Sequence, residues 1–329
     1  MLQVVAGKID SENKLLIFVL LFVIGCFTLV IASPAAGQET GGESPRVIYS
    51  GMDPVGDDHG PGDYIYPRHE VFEPYEGLFD LKEFSLKKAP NYYLFSFEFK
   101  RITDPWQGEY NFSHQLIHLY LDTGEGGRYD LFRPGARVKL SADNPWNHHL
   151  RLSGWWLRHM RPDDDPRDLI RDLDIDAETS PWDVEEGIIT RKENVIRVLL
   201  PREVIPESLQ GANFYLFVGS FDPFGEDYFR DVKSDRSNWA FAAPGLKNSE
   251  QAPRIIDWFH PREGKQETIL SDSQHNEPVL PALEIPEPEI PARPFFSPQT
   301  GKLYILVNLG LGLIIVLYIV YLTIYRADS

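Results

Sequence analysis

A single cysteine, Cys26, occurs in the 329 residues, so no intramolecular disulfide can form and zinc sites built from several cysteines are excluded. Outside a reducing compartment, stability must then come from core burial or bound metal. Methionine is nearly as scarce: Met52 and Met160 are the only ones beyond the initiator, and no Cys-x-x-Cys-His occurs, which argues against haem. Basic residues are in deficit. Lys and Arg number 32 against 49 Asp and Glu, leaving a formal charge of −17 that repels nucleic-acid phosphate. That charge serves chiefly solubility and suits cations such as calcium. Also missing are Gly-x-Ser-x-Gly, His-Glu-x-x-His and any internal repeat.

What is present points to many short strands. Proline (26) and glycine (25) are frequent enough to supply many turns, and aromatic residues reach 13%. Strand signals recur at Asn91–Phe99, Gln115–Leu121, Arg137–Leu140, His149–Leu157, Asn194–Leu200 and Asn213–Ser220. The second of these is closed by Asp122-Thr-Gly-Glu-Gly-Gly. The spacing, with few helical patterns, predicts an all-β body folded as a β-sandwich over 47–273.

Two apolar runs flank that body. Leu15–Ala32 precedes the small residues Ser33-Pro34-Ala35-Ala36, so residues 1–36 read as a signal peptide. The long run and its balanced charges (Lys8 and Lys14, Asp10 and Glu12) keep an uncleaved anchor as the alternative. Cys26 follows Val23-Ile24-Gly25 in a lipoprotein-like setting, yet Phe27–Ala32 stays apolar, which favours a small residue inside the helix. The second run, Leu303–Tyr325, is long enough to cross a hydrocarbon core of about 30 Å, with Tyr304, Tyr321 and Tyr325 at its ends. Residues 37–46 read as a short linker, 274–300 as a proline-rich spacer, 301–325 as a transmembrane helix and 326–329 as a cytoplasmic tail. The expected location is the cell membrane, with the body extracytoplasmic.

The most distinctive stretch is Met52-Asp-Pro-Val-Gly-Asp-Asp-His-Gly-Pro-Gly-Asp-Tyr-Ile-Tyr-Pro67. Asp53, Asp57, Asp58 and Asp63 crowd carboxylates beside three glycines. Glycine bends the backbone tightly enough for oxygens to converge, and calcium takes six to eight of them. The spacing is not that of an EF-hand. On chemistry alone, a calcium site and a solvated acidic turn both stand.

This order, with Phe72 and Gly77-Leu-Phe-Asp-Leu81 behind it, resembles the opening of the glucodextranase C-terminal domain family. That family is related in architecture to DOMON-like carbohydrate-binding β-sandwiches. The resemblance continues through Asp104-Pro-Trp106, Gln115–Thr123, Gly135–Val138, Leu152–Trp155, Val195–Pro201, Arg230–Val232, Trp239-Ala-Phe241 and Pro253–Asp257. It implies a calcium-stabilised sandwich that binds sugar or the cell surface. Asp53, Asp57 and Asp58 match the family motif as metal ligands, and Asp80 and Asp122 match less distinctive positions, as ligands or turn formers. The chain departs from the family in lacking the catalytic domains that the module normally follows, in having Asp104 where Asn is common, and in an acidic insertion-like stretch, Arg161–Asp176.

Sugar sites pair flat rings with planar polar groups. Trp106, Trp146, Trp155, Trp156 and Trp182 are the candidates, and if Trp155 and Trp156 lie in one strand their rings point to opposite faces. His148, His149, His114 and His118 read as ordinary polar or buried histidines rather than a metal set. Asn111-Phe-Ser is an N-glycosylation sequon. The expected function is a non-catalytic, membrane-anchored module that engages a glycan or polysaccharide and works with a separately encoded hydrolase or transporter. The alternative is a structural surface-layer or envelope component. Asp57 and Asp58 are adjacent, and adjacent carboxylates do not flank a glycosidic bond, so an enzyme is not expected.

Overall fold

The computed structural model describes residues 44–166, 188–244, 251–271 and 277–288. The expected signal or anchor segment, the run expected to span a membrane, Trp182 and most of the acidic stretch lie outside them. Among the described residues no helix is long and apolar enough to cross a membrane.

Two antiparallel sheets form the body. The first contains β1 (Arg46–Met52), β2 (Leu81–Lys88), β3 (Tyr92–Phe99), β9 (Val195–Pro201) and β8 (Ile189–Lys192), in that order. The second runs β13 (Ile255–Trp258), β10 (Asn213–Ser220), β4 (Gln115–Asp122), β6 (His148–Ser153) and β7 (Trp156–Met160), with β15 (Leu283–Glu284) also on β10. Short pairs complete the set: β11 (Val232–Lys233) with β12 (Phe241–Ala242), and β5 (Lys139–Leu140) with β14 (Val279–Leu280). One short helix, α1 (Lys265–Leu270), follows β13.

Side-chain alternation assigns the faces. On β4, Ile117, Leu119 and Leu121 enter the core between the sheets, while Leu116 and Tyr120 point outward. The outward face is also buried, under Leu131, Phe132, Val138, Phe229, Leu270 and Leu280. Covered on both sides, β4 reads as a nearly continuous apolar run instead of an alternating one. Each fully buried Leu or Phe contributes about 1.5–3 kcal/mol.

The register separates two ends of the sandwich. β10 rises from Asn213 to Ser220, about 24 Å at strand rise. Leu283–Glu284 pairs with Phe214 and Asn213, and Ile285 accepts from Gly211 N, so the described chain leaves at the lower end. β1 begins opposite Lys88, which pairs with Tyr93. The Tyr93 hydroxyl donates to the Glu207 carbonyl, and Glu207 reaches His148 at the foot of β6. Entry and exit therefore share the lower end.

Two sequence boundaries move. Leu280 and Ile285 are fully buried, so the first part of the proline-rich stretch is body, not spacer. The expected strand His149–Leu157 is a hairpin, broken at Gly154–Trp155. A Cβ at Gly154 would collide with the Phe112 carbonyl oxygen, and only glycine permits that approach.

Candidate functional site

Loops at the upper end enclose a cleft of about 810 Å³, lined by Trp106, Trp155, Trp156, Phe221, Asp222, Pro223, Phe224, Tyr228, Arg230 and Trp239. The β6–β7 turn supplies Trp155, whose N donates to Ser153 Oγ, and the first residue of β7 supplies Trp156. Because the chain turns there instead of continuing as a strand, both rings line one cleft and do not point to opposite faces. The loop before β4 supplies Trp106. The segment after β10 supplies the rest of one wall. Asp222 folds it by accepting Phe224 N on Oδ1 at 3.0 Å and Gly225 N on its carbonyl at 3.1 Å. Phe224 is left 96% exposed at the rim. Asp227 and Tyr228 follow with φ of 50° and 65°, a strained pair for residues with side chains. Gly135 N holds the Asp227 carboxylate, and the Asp227 carbonyl accepts from Arg151.

The rings form ordered surfaces. Trp155 and Phe221 are 4.7 Å apart at 30°, and Phe221 and Tyr228 are parallel at 5.9 Å. Trp239, 47% exposed, stacks on His69 at 4.1 Å. The Arg158 guanidinium lies 4.0 Å over Trp156. Arg230 is buried beneath, and its four acceptors are Ser220 Oγ, Asp222 Oδ2 and the carbonyls of Phe221 and Trp239. Asp222 and Arg230 thus satisfy one another, and the cleft offers apolar rings with hardly any free charge.

Trp146, a candidate from sequence, is fully buried and donates its indole N–H to the Asp130 carbonyl at 2.8 Å. It packs on Tyr120 and Phe132 and presents no face to a ligand. Phe221, Phe224, Tyr228, Arg230 and Trp239 were not among the expected residues, and the signal was the turn Asp222-Pro-Phe-Gly between two aromatic runs.

The expected acidic residues gather elsewhere. Oxygens of Asp53, Asp57 and Asp257 lie within 4.8 Å of one another. The arrangement repeats across the group: one oxygen is held by backbone and the other is left over. Asp53 Oδ1 accepts His260 N, Asp58 Oδ2 accepts Gly77 N and the Tyr66 hydroxyl, Asp80 Oδ2 accepts Gly56 N, and Asp257 Oδ2 accepts Leu81 N. Oδ2 of Asp53 and Oδ1 of Asp57, Asp58, Asp80 and Asp257 are buried without a hydrogen bond. Gly56, at φ 97°, makes the bend that brings its amide to Asp80. Burial pushes Asp53 up to about 9, with Asp57 and Asp80 adding repulsion. Asp57 rises to about 7 and Asp80 to about 6, again chiefly by burial and then by neighbouring aspartates. Asp257 is also raised, by burial first and then by Asp53 and Asp57. Lys100 Nζ lies 3.6 Å from Asp80, and His59 Nε2 lies 3.8 Å from Asp58 Oδ1. Leftover carboxylate oxygens held in place by backbone amides fit a hard, oxygen-preferring divalent ion.

Asp122 is not part of this group. It sits at the lower end of β4, where it accepts from Gly124 N and the Asn213 side chain. Asp257, which is part of it, lies on β13, and in the sequence it stands only at the end of the Pro253–Asp257 resemblance, with no acidic neighbour to mark it. Asp104 caps its own turn by accepting Gly108 N. Asn111 is exposed at φ 60° on the loop that carries Trp106.

The family description "C-terminal binding-module, SLH-like, of glucodextranase" matches residues 48–281 of the chain. No curated protein sequence matches it.

Proposed function

The chain belongs to the family of SLH-like C-terminal binding modules of glucodextranase, and from that membership we propose a non-catalytic carbohydrate-binding module whose site is the upper aromatic cleft. The cleft carries the reading. Pyranose C–H faces pack on rings such as Trp155, Phe221 and Trp239, and a lining with little free charge suits a neutral glycan. Asp222 is the cleft's only carboxylate among the described residues, and it is engaged by Arg230, whereas glycoside hydrolysis takes a facing pair.

Calcium at Asp53, Asp57 and Asp257 would hold the first long loop to β13 and compensate the leftover oxygens of those three carboxylates, with Asp58 and Asp80 adding negative charge nearby. Membrane anchoring through 301–325 agrees with the geometry of the body, because the described chain enters and leaves at the end opposite the cleft. A tether there would point the rings away from the lipid. A hydrolase or transporter encoded separately is then the natural companion for a module that binds without cutting.

The test is retention of the full-length chain, in detergent, by neutral glucans in affinity electrophoresis. Binding that disappears in Trp155→Ala supports the reading. Absence of retention by every neutral glucan, with a stable protein partner recovered instead, supports the envelope-assembly reading that the SLH-like description also favours.

A further inference from the structure

We propose that His148 and His159 form a two-imidazole site for a divalent transition-metal ion at the lower edge of the sandwich, away from both the cleft and the carboxylate group. The two residues lie on adjacent strands. Leu150 pairs directly with His159, so His148, two residues earlier on β6, is its diagonal neighbour on the same face. His148 Nδ1 and His159 Nε2 face each other at 2.9 Å. The rings are nearly parallel, 14° apart, with centroids at 5.1 Å.

Proton placement follows from the third group. Glu207 Oε2 is 3.0 Å from His148 Nε2, and an ionised carboxylate only accepts, so His148 Nε2 carries the proton. Its Nδ1 is then a lone pair aimed at His159. A carboxylate fixing the outer nitrogen of an imidazole is the arrangement that orients histidine ligands and raises their basicity. In the metal-free protein His159 Nε2 supplies the shared proton, and an ion entering between the rings takes its place as that proton moves to Nδ1 or to solvent. Two imidazoles bound tetrahedrally to zinc at about 2.05 Å place their nitrogens about 3.3 Å apart. The pair must open slightly and the His159 ring must tilt so that both lone pairs meet at the ion, a movement open to His159 because it is only half-buried.

Burial holds both rings neutral: His148 is shifted down, and His159 is pushed down to about 3. Neutral imidazole is the ligating form. Arg161 adds to both shifts, and its positive charge holds the affinity to a modest level. The pair His118–His149, equally close at 3.0 Å, differs in being entirely enclosed beneath the outer face, and among the described residues no carboxylate hydrogen-bonds to either ring.

The experiment uses the tag-free full-length chain in detergent, with calcium in excess to keep zinc off the carboxylate group. Calorimetric titration with Zn²⁺ should show a site that is lost in His159→Asn. Glu207→Gln, whose amide oxygen still accepts the His148 Nε2 proton but carries no charge, should weaken it about 10-fold or more at a temperature where the metal-free variant is folded. Cu²⁺ bound in place of zinc should give an electron-spin signal split by two nitrogens. Zinc uptake unchanged in both variants, or a copper signal with no nitrogen coupling, means the imidazoles are a hydrogen-bonded pair and nothing more, and overturns the proposal.

Discussion

Arg230 donates through Nη1 to the carbonyl of Trp239 at 2.8 Å, while Nη2 of the same guanidinium donates to the carbonyl of Phe221 at 2.7 Å. Two walls of the cleft, from different loops, are thus fastened to one buried fork. A lysine keeps the charge but has no planar set of donors to reach both carbonyls and Asp222 at once. Arg230→Lys should cost about 2 kcal/mol of stability and abolish retention on neutral glucan. Urea denaturation and affinity electrophoresis on the same variant check both parts. Full retention would mean the walls hold without the fork.

Ring deletions separate binding from packing. Trp155→Ala and Trp239→Ala should weaken glycan affinity about tenfold to a hundredfold, as expected for aromatic anchors. Trp239→Ala should leave melting almost unchanged, because the side chain is half in water. Trp146→Ala should do the reverse, costing about 3–5 kcal/mol while the remaining folded protein still binds. Loss of affinity in Trp146→Ala at a temperature where it is folded would contradict this assignment.

How far the sequence predicts these sites depends on the distance along the chain. Asp53, Asp57 and Asp58 stand in one glycine-rich motif, and their crowding is visible in the letters themselves. Asp257 is about two hundred residues away, inside Ile255-Ile-Asp-Trp258, with no acidic neighbour to mark it. Only the pairing of β13 with β10 carries it to the group. The cleft shows the same limit. Trp155 and Trp156 are conspicuous, but alternation along an assumed strand separates rings that a glycine turn brings together. Trp239 and Arg230 matter through one another, and no local pattern records a guanidinium bonded to a carbonyl nine residues on. Strands β3, β4, β9 and β10 were legible because each carries its own aromatic or β-branched run, whereas β1, β2, β8 and β13 fall outside the six expected segments and were not read as strands. Val279-Leu280 and Leu283-Glu284 were not, since proline spacing suggests a free extended segment and only β5 and β10 supply their partners.

Calcium and protons should compete for the carboxylate group. Without metal, Asp53 at about 9 and Asp57 at about 7 hold protons that the unfolded chain, with carboxyls near 3.9, has released. The folded state binds more protons between about pH 4 and pH 9, so metal-free stability falls as pH rises through that window. Calcium takes the place of those protons. Its stabilisation should be small near about pH 5 and reach about 2.7 kcal/mol at alkaline pH when calcium is a hundredfold above its dissociation constant. Melting with calcium and with chelator across that range checks the sign. Identical curves at about pH 9 would remove the metal.

His114 sets an opposite pH response. It is fully buried beside Trp106 and Phe72, and neither ring nitrogen makes a well-formed hydrogen bond. Burial, then Arg230, pushes it down to about 3, against a smaller upward pull from the Val71 backbone. A folded value below the unfolded 6.5 means the neutral ring costs nothing above that pH, and stability is lost as pH falls toward 3. The loss is about 1.4 kcal/mol per pH unit, or about 2 kcal/mol at about pH 5. His114→Phe keeps an aromatic ring in the same packing and removes the titration. It should melt higher than the parent at about pH 5 and near it at about pH 7.5. A variant destabilised equally at both values would show that the imidazole N–H has a partner worth keeping, and that the floor beneath Trp106 is polar by need.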